Sequence, residues 1–138
     1  MEFKKTKVFK IEINKEQANY LSEKSKIEKM LKKKDVLGFD VFYNKKLVGF
    51  AMLKEFDKNK FFLWDYLIER TYQGKGLGTQ ALKELIDLLK REYNCKLLTT
   101  TYKIGNEIGK HIYEKLGFVQ TEVIDNDQIH EVNMELKF

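Results

Sequence analysis

Apolar residues recur at helical spacing in several parts of the chain. The longest stripe, in residues 77–93, consists of Leu77, Ala81, Leu82, Leu85, Ile86, Leu88 and Leu89. A shorter one consists of Ile108, Ile112, Tyr113 and Leu116. Such stripes predict amphipathic helices. Gly117 stands where a C-cap glycine belongs and predicts the end of the second of these helices.

The first part of the chain carries weaker helical signals. Asn14 is typical of an N-cap, and Gln17 occupies the capping-box position, so helical sequence is expected through residues 19–22. A second helix is predicted over residues 26–34, where Ile27, Met30 and Leu31 share one face.

Alternating or aromatic-rich runs predict the strands. They are expected at residues 8–13, 36–43, 47–56, 60–68, 96–101, 118–124 and 129–136. Turns at residues 44–46, 57–59 and 125–127 separate neighbouring strands. The resulting order of elements predicts a mixed α/β sheet with helices on its faces. Because no proline, linker or repeat interrupts the chain, we expect a single domain over residues 1–138.

Composition narrows the class of protein. No apolar run approaches the ~20 residues of a membrane span, and the first residues lack the apolar stretch of a secretory signal. Cys95 is the only cysteine, so nothing requires an oxidising compartment. A cytoplasmic protein without a membrane partner is expected.

The net charge of +5 has three readings. The dense lysine patch in residues 24–34 is typical of the solvated face of an amphipathic helix. It can also attract a polyanionic cofactor or bind nucleic acid. We favour the solvated face and expect no nucleic-acid partner.

The sharpest chemical signal is a glycine-rich turn before the longest helix. Glycines let backbone N–H groups approach a ligand, and a helix start offers unpaired donors that suit a phosphate. A dinucleotide fingerprint would need glycine where Thr79 stands, and no Walker string is present. The turn consists of Gln73, Gly74, Lys75, Gly76, Leu77, Gly78 and Thr79.

Gln73, Gly76 and Gly78 fit the pattern Q/R-x-x-G-x-G/A, the acetyl-CoA signature of the GNAT superfamily of N-acetyltransferases. Residues 106–118 resemble that family's later block, N-x-x-A-x-x-x-Y-x-x-x-G-F, with Gly109 in place of the usual alanine. The two blocks occur in the family's order, with a helix and a strand between them. The chain is therefore identified as resembling GNAT acetyltransferases from about residue 36 to residue 136.

The resemblance implies a mostly antiparallel sheet whose two central strands splay apart around acetyl-CoA, the co-substrate. It places the CoA pyrophosphate on residues 73–79 and pairs the pantetheine arm with the backbone of Leu67 and Ile68. It assigns Asn106 to holding that arm and Tyr113 to protonating the leaving thiolate. No metal is implied, and the sequence shows no metal-ligand spacing around His111 or His130.

The proton acceptor for the attacking amine is not fixed by the motifs. Asp65, Glu69 and Glu55 are candidates, and Asp65 ranks first because it interrupts an apolar run. Cys95 has no histidine nearby in sequence and is discounted as a nucleophile, so direct transfer in a ternary complex is expected.

Residues 47–52 and 72–78 are also similar to bacterial spermine/spermidine acetyltransferases of the superfamily, and residues 17–31 vaguely resemble the first helices of those enzymes. A polyamine acceptor would need carboxylates and aromatic faces, which Tyr20, Trp64, Tyr66, Glu55 and Asp65 can supply. Another small amine, an aminoglycoside-like antibiotic, or a protein N-terminus or lysine remain alternatives, as does a non-catalytic CoA-binding module. The partner expected is a small-molecule amine, with a homodimer left open.

Overall fold

The computed structural model describes residues 1–138. The strands are β1 (Glu2–Lys5), β2 (Val36–Tyr43), β3 (Lys46–Asp57), β4 (Lys60–Ile68), β5 (Leu97–Lys103), β6 (Val119–Asp125) and β7 (His130–Lys137). The helices are α1 (Lys15–Ala18), α2 (Lys24–Leu31), α3 (Leu77–Glu92) and α4 (Glu107–Lys115), with a short 3-10 turn at Arg70–Tyr72.

All seven strands form one sheet in the order β1-β2-β3-β4-β5-β7-β6. Every neighbouring pair is antiparallel except β4 and β5, which are parallel and joined by the α3 crossover. The predicted mixed, mostly antiparallel sheet flanked by helices is confirmed.

The two central strands separate part-way along their length. β4 pairs with β5 only from Lys60↔Leu97 to Leu63↔Thr100. On its other edge β4 stays paired with β3 as far as Ile68. The last residues of β4 and β5 therefore diverge and leave a cleft in the middle of the sheet, as expected from the resemblance.

The helices lie where their apolar stripes predicted them. α3 buries Leu77, Ala81, Leu82, Leu85, Ile86 and Leu89 against the sheet. Tyr113 of α4 and Phe118 pack into the same core, and Gly117 ends the helix with a φ of 95°. α2 buries Ile27, Met30 and Leu31 and leaves its lysines exposed, which fits the solvated-face reading. No helix in the structure combines the length and apolar character that crossing a membrane requires.

The predicted first strand, residues 8–13, is wrong. Phe9 and Ile11 are buried while Val8 and Ile13 are exposed, so the alternation is real. However, β1 already pairs with the outer edge of β2, and this segment instead packs over an apolar cluster that includes Ile27. The pattern reported burial on one side, which an extended segment can have without pairing in a sheet.

The capping box at Asn14 and Gln17 is present, but α1 ends at Ala18 and the predicted helical continuation through residues 19–22 is wrong. The backbone there bonds to other elements instead. The Ser22 amide donates to Asp65, and the Asn19 carbonyl accepts from the Lys103 ammonium group.

Candidate functional site

The cleft between the diverging strands is a cavity of about 870 Å³. Its walls come from the second half of β4, the glycine-rich turn, the start of α4 and the segment around α1. It brings together most of the predicted site residues: Asp65, Leu67, Ile68, Gln73, Gly74, Gly76, Gly78, Thr79, Asn106 and Tyr113. The side chains of two others lie outside it, since Lys75 is exposed to solvent and Leu77 packs in the core.

The glycine-rich turn presents a row of free donors to this cavity. Gly74 and Gly76 have φ values of 79° and 76°, and a Cβ added at either would meet no atom within 4 Å. The backbone N–H groups of residues 74–79 donate to no acceptor within the chain, and α3 has no side-chain N-cap bond. Unpaired amides at the positive end of a helix make a site for a phosphate.

Gly78 lets two helices approach each other. A Cβ there would lie 2.9 Å from the Cδ1 atom of Ile112 on α4. The Gly78 carbonyl also accepts a hydrogen bond from the hydroxyl of Tyr66 at 2.5 Å. Burial raises the pKa of the Tyr66 phenol, so this donor stays protonated. These contacts fix the turn against β4 and α4.

The open edge of β4 offers backbone groups to the cleft at Ile68. Its carbonyl accepts from the side-chain amides of Gln73 at 2.9 Å and Gln17 at 3.1 Å, so it faces away from β3. The Leu67 carbonyl faces the other way, because a Cβ on Gly49 of β3 would lie 2.6 Å from it. Since backbone groups alternate along an antiparallel strand, a ligand in the cleft would pair with Ile68 rather than Leu67.

Asn106 is the N-cap of α4 and accepts a hydrogen bond from the Gly109 amide at 3.1 Å. Its Nδ2 atom lies 2.7 Å from where a Cβ on Gly109 would be. The glycine that replaces the family's usual alanine thus lets the Asn106 side chain fold over the helix start.

Tyr113 lies beside the point where β4 and β5 separate. Its ring packs against Tyr102 and Phe118, at centroid distances of 6.3 and 5.5 Å. Burial raises the pKa of its phenol, a hydrogen bond with the Thr100 side chain offsets part of the shift, the charge of Asp65 adds to it, and the resulting pKa is about 12. The phenol is therefore protonated at neutral pH and is available as a proton donor.

Asp65 is only 4% exposed and lines the same cavity. Its Oδ1 atom accepts from the Ser22 amide at 3.0 Å, and its Oδ2 atom has no partner. Burial raises the pKa of this carboxyl group, which the Ser22 hydrogen bonds and the charges of Lys26 and Lys103 partly offset. A buried carboxyl oxygen without a partner is costly, and at a cavity wall it can accept a proton or bind an amine.

The other candidate groups lie elsewhere. The Glu55 carboxylate accepts from the Asn59 amide in the β3–β4 turn, and Glu55 does not line the cavity, so its predicted place at the acceptor mouth is wrong. Glu69 also lies outside this cavity and accepts from the Thr71 hydroxyl. Cys95 is buried, and burial raises the pKa of its thiol to about 11, so it carries little thiolate.

Comparison with known proteins gives the family. Residues 6–118 match the acetyltransferase (GNAT) family. The chain belongs to this family. Spermine/spermidine N(1)-acetyltransferase from Bacillus subtilis (strain 168) is 35% identical over 85 residues, which are 56% of each chain. The match therefore spans about half the length of that curated relative.

Solved structures of GNAT proteins share the fold. A GNAT family acetyltransferase from Elizabethkingia anophelis, with acetyl-CoA bound, aligns with a TM-score of 0.74 and 18% identity, covering 99% of this chain and 97% of its own. A variant of spermidine N-acetyltransferase from Vibrio cholerae aligns with a TM-score of 0.70 and 18% identity, covering 83% and 75%.

Sequence reasoning missed part of this GNAT cavity. Residues around α1 form one wall, and further side chains come from β5, α4 and the 3-10 turn. These are Asn14, Glu16, Gln17, Leu21, Arg70, Thr101, Tyr102, Ile108, His111 and Lys115. The spacing of Ile108, His111 and Lys115 places them on one face of α4, and this spacing could have predicted that they line the cavity together. The α1 wall had no such signal beyond its capping box.

Proposed function

We propose that the protein is an acetyl-CoA-dependent N-acetyltransferase that acts on a primary amine, with a polyamine as the lead acceptor. The observation that carries the proposal is the run of free backbone amides in residues 74–79, placed at the open end of two splayed strands beside Tyr113. The lone reduced cysteine is compatible with work in the cytoplasm.

The geometry suits the pyrophosphate and the pantetheine arm of CoA. The open space over Gly74 and Gly76 admits the pyrophosphate, and the amides there supply donors. Beyond the turn, the edge of β4 at Ile68 is not paired with β5 and can pair with an extended chain that carries amide groups, as the pantetheine arm does. Lys75 is exposed next to the turn and adds positive charge, while Lys115 and Arg70 line the cavity.

The proposed reaction joins the amine nitrogen to the thioester carbonyl carbon and breaks the carbon–sulfur bond. An alkylammonium group must first lose a proton, which the Asp65 carboxylate accepts directly or through water. The departing thiolate takes the phenol proton of Tyr113. The nitrogen of the tetrahedral intermediate gives up its second proton, which restores the phenol. The products are the N-acetylated amine and free CoA, and Asp65 then releases its proton to solvent.

A polyamine acceptor is supported by the lining near Asp65. Tyr20 and Trp64 contribute aromatic faces, and Glu16 contributes a second carboxylate. The hydroxyl of Tyr66 is committed to Gly78, so Tyr66 can offer only its ring. The Bacillus relatives bear names that specify spermine and spermidine. Lys26 and Lys103 reduce the negative potential at Asp65, so selectivity for polyamines over other amines is the part to test first.

The test is a thiol-release assay with acetyl-CoA against polyamines, amino sugars, free amino acids and lysine peptides. We expect spermidine or spermine to give the highest kcat/KM. A higher kcat/KM for another class of amine would contradict the polyamine acceptor but would still support an acetyltransferase. CoA binding without thiol release from any amine would support the non-catalytic binding module instead.

A further inference from the structure

The segment of residues 14–22, called the strap here, crosses the mouth of the cleft. On the β4 side, Gln17 donates to the Ile68 carbonyl at 3.1 Å and the Ser22 amide donates to Asp65 at 3.0 Å. On the β5 side, the Tyr20 hydroxyl donates to the Gly105 carbonyl at 3.3 Å. No residue of the strap is buried. Hydrogen bonds rather than apolar packing hold it in place, and such segments open at low cost.

The Ile68 carbonyl is the point where the strap meets the end of β4. A carbonyl oxygen has two lone pairs. Both are used here, one by the Gln17 side chain from the strap and one by the Gln73 side chain from the turn. A ligand N–H group can therefore bond to this carbonyl only after one of the two glutamines releases it.

We propose that Gln17 is a positioning residue, a latch that closes the strap and that the amide-bearing arm of CoA displaces from Ile68. The inference rests on the proposed function. Gln17 is the partner that leaves, because it belongs to the strap and α1 buries no residue. Gln73 lies in the turn that the pyrophosphate would hold in place. Cofactor binding thus loosens the strap above Asp65 and opens the acceptor side.

The first test follows hydrogen exchange of single backbone amides with and without CoA. We expect CoA to slow exchange in residues 74–79 and to speed exchange of the strap amides, such as those of Ala18, Tyr20 and Ser22, by about 5-fold. Protection of the turn with unchanged or slower exchange in the strap would overturn the latch alone. No protection of the turn would overturn the cofactor assignment itself.

The second test uses a matched pair of variants. Gln17→Met keeps the side-chain length but removes both the donor to Ile68 and the Oε1 atom that accepts from the Asn14 amide in the capping box. In the free variant the strap amides should already exchange fast, and CoA should bind about 3-fold more tightly because no latch must be released. The KM for the amine and kcat should each change by less than about 2-fold, because CoA has already displaced the latch in the complex that binds the amine.

Tyr20→Phe is the control, since it frees the strap from Gly105 on the opposite wall and leaves both glutamines on Ile68. Its strap amides should exchange faster, but its affinity for CoA should match that of the wild type. Equal tightening of CoA binding in both variants would show that general loosening, not the latch, controls the cofactor site, and would overturn the proposal.

Discussion

The two walls of the cleft are built in opposite ways. The proposed cofactor wall is the contiguous turn of residues 73–79, fixed to β4 by the Gln73 and Tyr66 hydrogen bonds and backed by the long helix α3. The proposed acceptor wall combines the strap with Trp64 and Asp65, segments far apart in sequence. The first wall has a packed core behind it, whereas the strap has no buried residue.

This difference shows where rigidity and variation reside. A phosphate site made of backbone amides must keep its geometry, and local glycines encode that geometry. The strap has no buried residue, so its side chains can change without disturbing the fold. Variants of the cofactor wall should therefore abolish binding, while variants of the acceptor wall should change selectivity.

Gly76→Glu should have the largest effect. A carboxylate then points into the space proposed for the pyrophosphate, and acetyl-CoA affinity should fall at least about 100-fold by charge repulsion. Calorimetric titration measures the affinity. Gly76→Asn is the matched control, because asparagine tolerates the left-handed backbone and adds no charge. Equal losses in both variants would show that backbone strain, not charge, is responsible.

Tyr113→Phe should lower kcat by about 100-fold, as loss of a general acid does. Acetyl-CoA affinity should stay within about 2-fold, since the phenol acts on the leaving thiolate rather than on the bound cofactor. Steady-state kinetics and titration separate the two quantities. Tyr93→Phe removes a hydroxyl outside the cavity and should leave both unchanged. Wild-type turnover in Tyr113→Phe would remove the acid role.

Asp65→Asn should reduce kcat/KM by about 30-fold while making the protein more stable at neutral pH. The pKa of Asp65 is higher in the folded state than its usual value of 3.8. Protonated Asp65 therefore stabilises the folded state fully below pH 3.8. This stabilisation is lost as the pH rises through the folded-state pKa. The variant should therefore gain on the order of 1 kcal/mol in unfolding free energy at pH 7.

That gain in unfolding free energy should vanish near pH 3, where Asp65 is protonated in both the folded and the unfolded wild-type protein. Urea unfolding at both pH values measures it. A variant less stable than the wild type at pH 7 would show that the carboxylate has a stabilising partner in solution.

Trp64→Leu should have the smallest effect. Loss of an aromatic face for a cationic acceptor should raise the KM for spermidine about 5-fold, with acetyl-CoA affinity unchanged. Lys26 already lies over this ring at 5.8 Å, which limits the effect. Glu55→Gln removes a charge outside the cavity and should leave the KM unchanged. An unchanged KM for spermidine in Trp64→Leu would show that the ring does not contact the amine.

The same contrast explains what sequence reasoning could reach. The helices of residues 77–92 and 107–115 and the strand of residues 60–68 followed from local periodicity, and the glycine-rich turn from contiguous residues. The placement of Asp65 at a cavity wall followed from one polar residue in an apolar run. Residues 8–13 failed because alternation records burial and not the identity of the hydrogen-bonding partner.

The strap could not be predicted for a different reason. Its contacts join residues far apart in the chain, such as Gln17 with Ile68 and Lys103 with Asn19. No local pattern encodes such pairs. Likewise, the contact of Gly78 with Ile112 depends on how α3 and α4 pack, which cannot be predicted from the sequence of the turn alone.

The last residue pair between β4 and β5 determines the depth of the cleft. This rung joins Leu63 and Thr100, and the Thr100 hydroxyl donates to the Leu63 carbonyl at 3.1 Å. Each further rung would shorten the cleft by roughly 3.3 Å, about the rise of one residue in a parallel strand. Tyr113 lies beside this rung, so the register of four residue pairs sets how deep an extended chain must reach to meet the phenol. The depth of the site thus depends on how many residues of β4 and β5 pair before the strands separate.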